Sequence, residues 1–285
     1  MKNNMSTIKK IIIPLCLVAA SIVANGQSSY LVDSEDRLFA EGKDFFELKN
    51  YAGCTDKLEA YKKIATNSDL VQEADYMLAY IAFEQGKENA VEILESYLRQ
   101  YPDSRHGDEA CLLIGSGYFE GKDYTRAENW LADARVNALN PQQQEVLNYR
   151  LAYSRMQNGD LTKAQENFMT VREFDAEYSL ASSYYIAYID YATGKYDNAM
   201  REFNYLKKNP EYREQANYYI AQINYIEDNH DEVVKLTERL LRTYPDNDNN
   251  TELYRITGNS YYQLGNQDKA IAMLKQYVAS TDTPA

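Results

Sequence analysis

Residues 107–134 read GDEACLLIGSGYFEGKDYTRAENWLADA, and within them two small residues, Gly115 and Ala127, stand twelve positions apart. Apolar residues surround each small residue at the roughly 3.6-residue spacing of an amphipathic helix. Between them, Gly121-Lys122-Asp123 is a sequence that ends one helix and lets another begin. Because small residues let two helix backbones approach closely, this stretch predicts a helical hairpin whose helices cross at Gly115 and Ala127.

The same pattern recurs along most of the chain. Equivalent small residues follow one another at intervals of 34 to 37 positions: Gly42, Ala79, Gly115, Ala152, Ala187, Ala221 and Gly258. A second small position, eleven or twelve residues later in each unit, gives Cys54, Ala90, Ala127, Ala164, Ala199, Val233 and Ala270. Self-similarity at such a period indicates a repeat architecture. The sequence therefore predicts an all-α solenoid, a superhelix of about seven tandem hairpins, with units starting near 35, 72, 108, 145, 180, 214 and 251.

These units resemble tetratricopeptide repeats. The family signature includes a Leu-Gly pair with a Tyr three positions later, an A-x3-F segment and a Pro. It is matched by Ile114-Gly115-Ser116-Gly117-Tyr118, by Ala164 to Phe168 and Ala199 to Phe203, and by Pro102 and Pro245. The opening Trp of the signature is replaced throughout. The resemblance covers residues 35 to about 284, and the Leu98 to Ser104 linker is similar to that of envelope members of the BamD and YbgF type.

The first residues of the chain predict an export signal. Three lysines among the first ten residues precede Ile11–Val23, an apolar run too short to span a bilayer as a mature helix. Ala24-Asn25-Gly26 places small residues at the two positions that signal peptidase requires. We therefore expect residues 1–26 to be a signal peptide, cleaved between Gly26 and Gln27, residues 27–34 to be a short lead, and the protein to reach the periplasm or the outer-membrane periphery.

The cysteines favour structural roles. Cys16 invites a lipoprotein interpretation, but Leu15 fills the preceding position, where a lipobox carries a small residue, so an ordinary signal-peptide cysteine is favoured. Cys54 and Cys111 fall two units apart, beyond the roughly 4.4 to 6.8 Å between Cα atoms that a disulfide permits. We expect both to be small core residues.

Charge excludes one class of partner. The chain has 30 Lys and Arg against 43 Asp and Glu, and removal of residues 1–26 leaves 27 basic residues and a net charge of −16. A surface of this sign repels phosphate backbones. No nucleic acid is therefore expected as a partner.

The chain has 27 tyrosines, and Tyr and Phe occupy most of the positions that line the binding groove in the family that these repeats resemble. By resemblance, positions 5, 9 and 12 of each unit project from its first helix into a concave groove. Ten aromatic residues at these positions form the predicted binding surface: Tyr76, Tyr80, Phe83, Tyr149, Tyr153, Tyr184, Tyr188, Tyr191, Tyr218 and Tyr225. In the last unit the same positions hold Arg255, Asn259 and Tyr262. The alternative is that superhelical curvature buries some of these rings against the next repeat as ordinary core.

A tyrosine-lined groove favours a protein partner. Tyrosine combines a large contact area with only two rotatable bonds and a hydroxyl that tolerates water. The carboxylate clamp of chaperone-binding family members needs Lys and Asn at groove positions, and here only Lys43, Arg255 and Asn259 occur, in distant units. An apolar or aromatic peptide, an amphipathic helix or an extended strand is more compatible. The prediction is a non-enzymatic scaffold for protein–protein interaction in the envelope, with an outer-membrane complex as one setting and glycan or peptidoglycan binding as the alternative.

Catalytic and metal sites are not indicated. His106 and His230 fall in predicted turns, where we expect solvated loop histidines, and neither pairs with a nucleophile in a recognisable motif. No cofactor or metal is expected, since Asp246-Asn247-Asp248-Asn249-Asn250 resembles a calcium loop but lacks its sixth-position Gly. Repeat arrays end in a capping surface, whereas this chain stops soon after Tyr277. We therefore expect either a continuation beyond Ala285 or a docking edge there.

Overall fold

The structure, a computed structural model, describes residues 34–281, and every regular element in that range is a helix. The expected signal peptide with its cleavage site, residues 27–33 of the lead and residues 282–285 lie outside the described range. The described chain forms two compact units, residues 34–160, called here the N-terminal unit, and residues 161–281, the C-terminal unit.

Each unit is a succession of helices joined by short turns. The N-terminal unit contains α1 (Glu35–Glu47), α2 (Tyr51–Ile64), α3 (Ser68–Glu84), α4 (Ala90–Gln100), α5 (Gly107–Glu120), α6 (Tyr124–Asp133), a short 3₁₀ helix (Val136–Ala138) and α7 (Pro141–Gln157). The C-terminal unit contains α8 (Leu161–Arg172), α9 (Ser179–Ala192), α10 (Tyr196–Leu206), α11 (Arg213–Ile226), α12 (His230–Thr243), α13 (Asn250–Gln263) and α14 (Gln267–Thr281). The predicted all-α fold is confirmed, because residues 34–281 contain no strand.

Consecutive helices pack as the hairpins that the small-residue pattern predicts. In the N-terminal unit α1 packs on α2, α3 on α4 and α5 on α6, and in the C-terminal unit α9 packs on α10, α11 on α12 and α13 on α14. The first helices also contact one another, α1 with α3 and α5 with α7 in the first unit, and α9 with α11 and α11 with α13 in the second. Within each of the two units, the first helices of successive hairpins therefore lie next to one another in one layer.

The small residues mark the closest approach within a hairpin. A Cβ atom added to Gly115 would lie 2.6 Å from Cγ of Leu131 and 3.1 Å from its backbone nitrogen. An added Cβ on Gly42 would lie 2.6 Å from Cδ2 of Leu58. The leucine stands sixteen positions after the glycine in both hairpins, so one side chain of the second helix fills the space that the glycine leaves.

Helix starts follow the capping chemistry of the chain. Asn140 and Gln143 form a capping box, with Pro141 in the first turn of α7. The side chain of Asn67 accepts hydrogen bonds from the backbone nitrogens of Asp69 and Leu70, so that α3 begins at Ser68. The helices α3 and α7 begin about four residues before the repeat starts near 72 and 145 that the small-residue spacing predicts. The reason is that the asparagine caps add a helical turn.

The predicted core role of the cysteines agrees with their environment. Cys54 is fully buried and Cys111 is half-buried, and both are free thiols. Burial raises the pKa of each thiol to about 11, so both are protonated at neutral pH. Among the helices of residues 34–281, none is at once long and apolar enough to cross a membrane.

Candidate binding surface

The ten aromatic residues predicted to bind a partner all lie on the first helices of their hairpins. Tyr76, Tyr80 and Phe83 are on α3, Tyr149 and Tyr153 on α7, Tyr184, Tyr188 and Tyr191 on α9, and Tyr218 and Tyr225 on α11. They differ strongly in exposure, and this difference divides the set.

Three of the ten rings are buried. Tyr76, Tyr149 and Tyr153 retain only 4 to 5% of their surface exposed. The Tyr76 ring stacks on His106 with centroids 3.9 Å apart and also packs against Tyr97. These three side chains are packed as core, which is the alternative that the sequence left open for such positions, and in this structure they offer a partner no surface.

The remaining rings on α3 are half-buried. The Tyr80 ring meets Phe46 of α1 edge to face at 5.3 Å, and Phe83 packs on the apolar core shared by α3, α4 and α5. Burial raises the pKa of Tyr80 well above its ordinary value, and it also raises the pKa of the neighbouring Glu84 carboxyl. Neighbouring aromatic and apolar side chains therefore cover part of both rings.

The α9 tyrosines surround one buried ring that sequence reasoning missed. Tyr219 on α11 retains 7% exposure, and its centroid lies 6.3, 5.8 and 5.1 Å from those of Tyr184, Tyr188 and Tyr191. It also stacks on Phe203 at 4.9 Å. Burial raises the pKa of Tyr219, as it does for Tyr184 and Tyr191. The sequence contained a signal, since Tyr218-Tyr219 is a tyrosine pair of which only one ring can face the groove.

On α11 and α13 polar groups join the aromatic ones. Arg255 makes two hydrogen bonds to the Glu252 carboxylate, at 2.6 and 2.7 Å, and its guanidinium lies 5.3 Å from the Tyr225 ring centroid. Asn259 donates to the Tyr225 hydroxyl at 3.1 Å. Burial, and next the nearby Glu252 carboxylate, raise the pKa of Tyr218 to about 12. Here the surface carries one fixed, internally neutralised charge pair beside the rings.

In the C-terminal unit, we call the tyrosines at the groove positions of the first helices α9, α11 and α13 the tyrosine stripe. It consists of Tyr184, Tyr188, Tyr191, Tyr218, Tyr225 and Tyr262, flanked by Arg255 and Asn259. Tyr191, Tyr225 and Tyr262 are each the penultimate residue of their helix, α9, α11 and α13. Tyr262 is 64% exposed, and the other five tyrosines are half-buried. Successive hairpins thus present the same ring at the same helical position.

Several hydroxyls of the stripe are available for a ligand. Within residues 34–281, the hydroxyls of Tyr188, Tyr191 and Tyr262 have no hydrogen-bond partner in the protein. Each can donate one hydrogen bond and accept others. Below Tyr218, a cavity lined by Glu214, Leu240 and Asn250 has a volume of about 10 Å³, enough for a single water. A ligand of the stripe would therefore lie along its surface.

The expectation of two solvated loop histidines is wrong. His106 directly precedes α5. Its Nε2 lies 2.8 Å from Oε2 of Glu73, and its ring stacks on Tyr76. His230 is the first residue of α12, and its Nδ1 lies 3.2 Å from Oγ of Ser260. Each imidazole is held between helices. In the part of the chain that the structure describes, no group of three His, Cys, Asp or Glu is arranged to hold a metal ion.

Comparisons with known proteins agree with this architecture. The model of an outer membrane lipoprotein family, YfiO, matches residues 32–125, and a tetratricopeptide repeat model matches residues 254–280. No curated protein matches the sequence significantly.

Solved structures share the helical architecture at low sequence identity. MamA (MSR-1) is 15% identical with a TM-score of 0.51, over 61% of this chain and 96% of MamA. YrrB, described as a TPR protein with an unusual peptide-binding site, is 12% identical with a TM-score of 0.51, over 66% of this chain and 92% of YrrB. A tetratricopeptide repeat protein from Parabacteroides merdae is 17% identical with a TM-score of 0.48, over 86% and 92%. At these identities the likeness to MamA and YrrB, whose TM-scores exceed 0.5, establishes the fold alone.

Proposed function

Because the chain is a tetratricopeptide repeat protein with similarity to an outer membrane lipoprotein family, we propose that it is a non-enzymatic scaffold of the cell envelope. It holds a segment of a partner protein against the tyrosine stripe of its C-terminal unit. Its action is reversible association, in which no covalent bond forms or breaks. The export signal expected at residues 1–26 and the YfiO match support the envelope setting.

The observation that carries this proposal is the exposure pattern of the tyrosines. Of the rings at equivalent positions of three successive first helices, Tyr262 is 64% exposed, and Tyr191 and Tyr225 are half-buried. Tyr219 is buried against the α9 rings and holds them in place. Rigid aromatic side chains lose little conformational entropy on binding, which is why they dominate the energetics of protein interfaces. The stripe is thus preorganised for contact.

Hydroxyl groups suit the stripe to a peptide backbone. Tyr188, Tyr191 and Tyr262 offer donors that the protein itself does not use, and a peptide carbonyl is a matching acceptor. YrrB, which has a similar fold, is described as having a peptide-binding site. Glycans also stack on tyrosine, so the test has to separate the two kinds of ligand.

A photo-crosslinking amino acid placed at Tyr191 makes the test direct. The matched control position is Tyr205 on α10, which is 58% exposed but lies on a second helix, outside the stripe. Each protein is incubated separately with envelope proteins and with cell-wall sacculi. We expect a discrete protein adduct from position 191 and none from position 205.

Competition completes the experiment. Excess unlabelled protein should suppress the adduct, whereas the Tyr188→Ala, Tyr191→Ala, Tyr262→Ala triple variant with unchanged helical circular dichroism should not. Equal crosslinking from both positions, or crosslinking only to sacculi, would contradict a protein-binding stripe.

A further inference from the structure

Taking the proposed function as its basis, we infer that the segment bound by the tyrosine stripe is a proline-rich stretch in the polyproline II conformation, flanked by basic residues. The inference comes from the period of the stripe, from its unused donors and from the charge of the unit that carries it.

The period of the stripe is set by the stacking of the first helices. α9 contacts α11, and α11 contacts α13, and packed helices have axes about 8–10 Å apart. Tyr191, Tyr225 and Tyr262 occupy the same place on these helices, so a ligand that crosses them meets an equivalent ring about once every 8–10 Å. A matching ligand presents the same face at that interval.

Polyproline II has this interval. It makes one turn in three residues at about 3.1 Å per residue, so the same face recurs every ~9.3 Å. In a β-strand the same face recurs every second residue, about 6.7 Å, or every fourth, about 13 Å, and neither spacing matches. An α-helix repeats a face after seven residues, about 10.5 Å, so the period alone does not separate it from polyproline II.

The unused tyrosine hydroxyls distinguish polyproline II from an α-helix as the conformation of the ligand. The carbonyls of an α-helix already accept hydrogen bonds from its own backbone, except at its last turn. The carbonyls of polyproline II have no internal partner. Tyr188, Tyr191 and Tyr262 therefore find acceptors along a polyproline II segment, while the ring faces pack on the pyrrolidine rings. Aromatic-lined grooves bind proline-rich segments in this way because little conformational entropy remains to be lost.

Charge indicates what flanks the prolines. Residues 161–281 contain 18 Asp and Glu against 13 Lys and Arg. The Glu252 carboxylate lies close enough to Tyr191 and Tyr218 to contribute to the raised pKa of both hydroxyls. Arg255, the cation beside the stripe, is paired with Glu252, so the excess of acidic residues in the unit sets the sign of the charge that a ligand meets. A segment with Lys or Arg beside its prolines is therefore attracted, and an acidic one is repelled.

The test measures binding of labelled peptides to the full chain by fluorescence anisotropy. The probe has about nine prolines, three turns of polyproline II, with two lysines at each end. Three comparison peptides of equal length are the same prolines with glutamates at each end, an alanine–leucine–lysine helix, and an extended threonine–valine–lysine sequence. We expect the lysine-flanked proline peptide to bind most tightly, and the glutamate-flanked one to approach it only at high salt.

Variants locate the binding. Tyr191→Ala and Tyr262→Ala are each expected to weaken binding of the lysine-flanked proline peptide roughly tenfold, as removal of an aromatic anchor does. Tyr191→Phe keeps the ring and removes the donor, so we expect a loss of about threefold. The matched control, Tyr205→Ala, should bind as the unaltered protein does. Thermal unfolding of each variant checks that its fold is intact.

The possible results are distinguishable. Preferred binding of the proline peptide with these sensitivities supports the inference. Binding of the helical or the extended peptide at Tyr191, without the proline peptide, overturns the inference and leaves the scaffold proposal standing. Absence of binding by all four peptides also overturns it. If the crosslinker at Tyr191 then gives no protein adduct either, the proposed function fails as well.

Discussion

At the scale of single residues, the glycines of the first helices show how the hairpins close. Gly115 faces Leu131 and Gly258 faces Leu274, each at a distance that leaves no room for a Cβ atom. The leucine side chain packs directly on the opposing helix backbone. Gly in a helix costs roughly 0.5–1 kcal/mol relative to Ala, so the close contact has to offset that cost.

Gly115→Ala is therefore expected to lower the free energy of unfolding by about 1–3 kcal/mol, the usual cost of overpacking a core. The matched control is Gly107→Ala, at the start of the same helix, where an added Cβ would meet no atom within 4 Å. That substitution should stabilise the protein by about 0.5 kcal/mol, because it restricts the unfolded chain. Urea unfolding followed by circular dichroism measures both, and a stabilising Gly115→Ala would contradict the tight crossing.

Residue-level prediction from the sequence succeeded for close packing and failed for contacts between distant side chains. The small-residue series identified Gly115 and Ala127 as core because their spacing is local. The stacking of His106 on Tyr76 joins residues thirty positions apart, and it depends on how one hairpin packs on the next. The position of Tyr149 in its repeat indicated which helix carries it, but its burial depends on neighbours that no spacing reveals.

At the scale of elements, the turns between paired helices share a residue with positive φ, and only in some of these turns is that residue a glycine. Gly86, Gly194 and Gly265 have φ between +63° and +76°. In the α5–α6 hairpin the residue with positive φ, at 61°, is Lys122 rather than the adjacent Gly121. The Gly121-Lys122-Asp123 sequence predicts this turn, but it does not indicate which of the three residues takes the left-handed conformation.

Lys122→Gly is expected to raise the free energy of unfolding by about 0.5–1 kcal/mol, since the left-handed conformation costs a residue with a Cβ roughly 1–2 kcal/mol and glycine much less. Lys87→Gly is the matched control, because Lys87 lies in the equivalent turn after α3 but lacks a positive φ. It should lower stability by about 0.5–1 kcal/mol. Thermal unfolding compares the two, and equal destabilisation by both would show that the turn geometry is different.

At the scale of the whole molecule, acidic side chains are in excess, and the structure pairs many of them. Hydrogen bonds from Lys57 and Arg37 lower the pKa of Glu41, those from Arg135 lower the pKa of Asp108, and others lower the pKa of Asp123 and Glu238. Burial acts in the opposite direction on Glu84 and Glu214, whose pKa values it raises. Some carboxyl groups of the chain therefore stabilise the folded state when they are ionised, and others stabilise it when they are protonated.

The carboxyl groups with lowered pKa values determine how the free energy of unfolding responds to acid. A carboxyl whose pKa is depressed by folding stabilises the protein above its unfolded pKa, about 4, and this stabilisation is lost as pH falls through the folded value. We therefore expect the free energy of unfolding to decline below about pH 4. Glu84 and Glu214 act at higher pH: because folding raises their pKa values, their protonation adds stability as pH falls toward the unfolded pKa, before the decline begins.

Asp108→Asn and Glu84→Gln test this balance as a pair. Asp108 accepts hydrogen bonds from the backbone nitrogen, Nε and Nη2 of Arg135 at 2.8 to 3.2 Å, so Asp108→Asn should cost about 1 kcal/mol at pH 7 and make the loss below pH 4 shallower. Glu84→Gln removes a carboxyl that folding disfavours in its charged form, so stability at pH 7 should stay equal or rise. Urea titrations between pH 3 and 7 measure both slopes. An unchanged acid slope in Asp108→Asn would mean that the Arg135 pair contributes nothing in solution, and that the acid sensitivity of this chain comes from its remaining paired carboxylates.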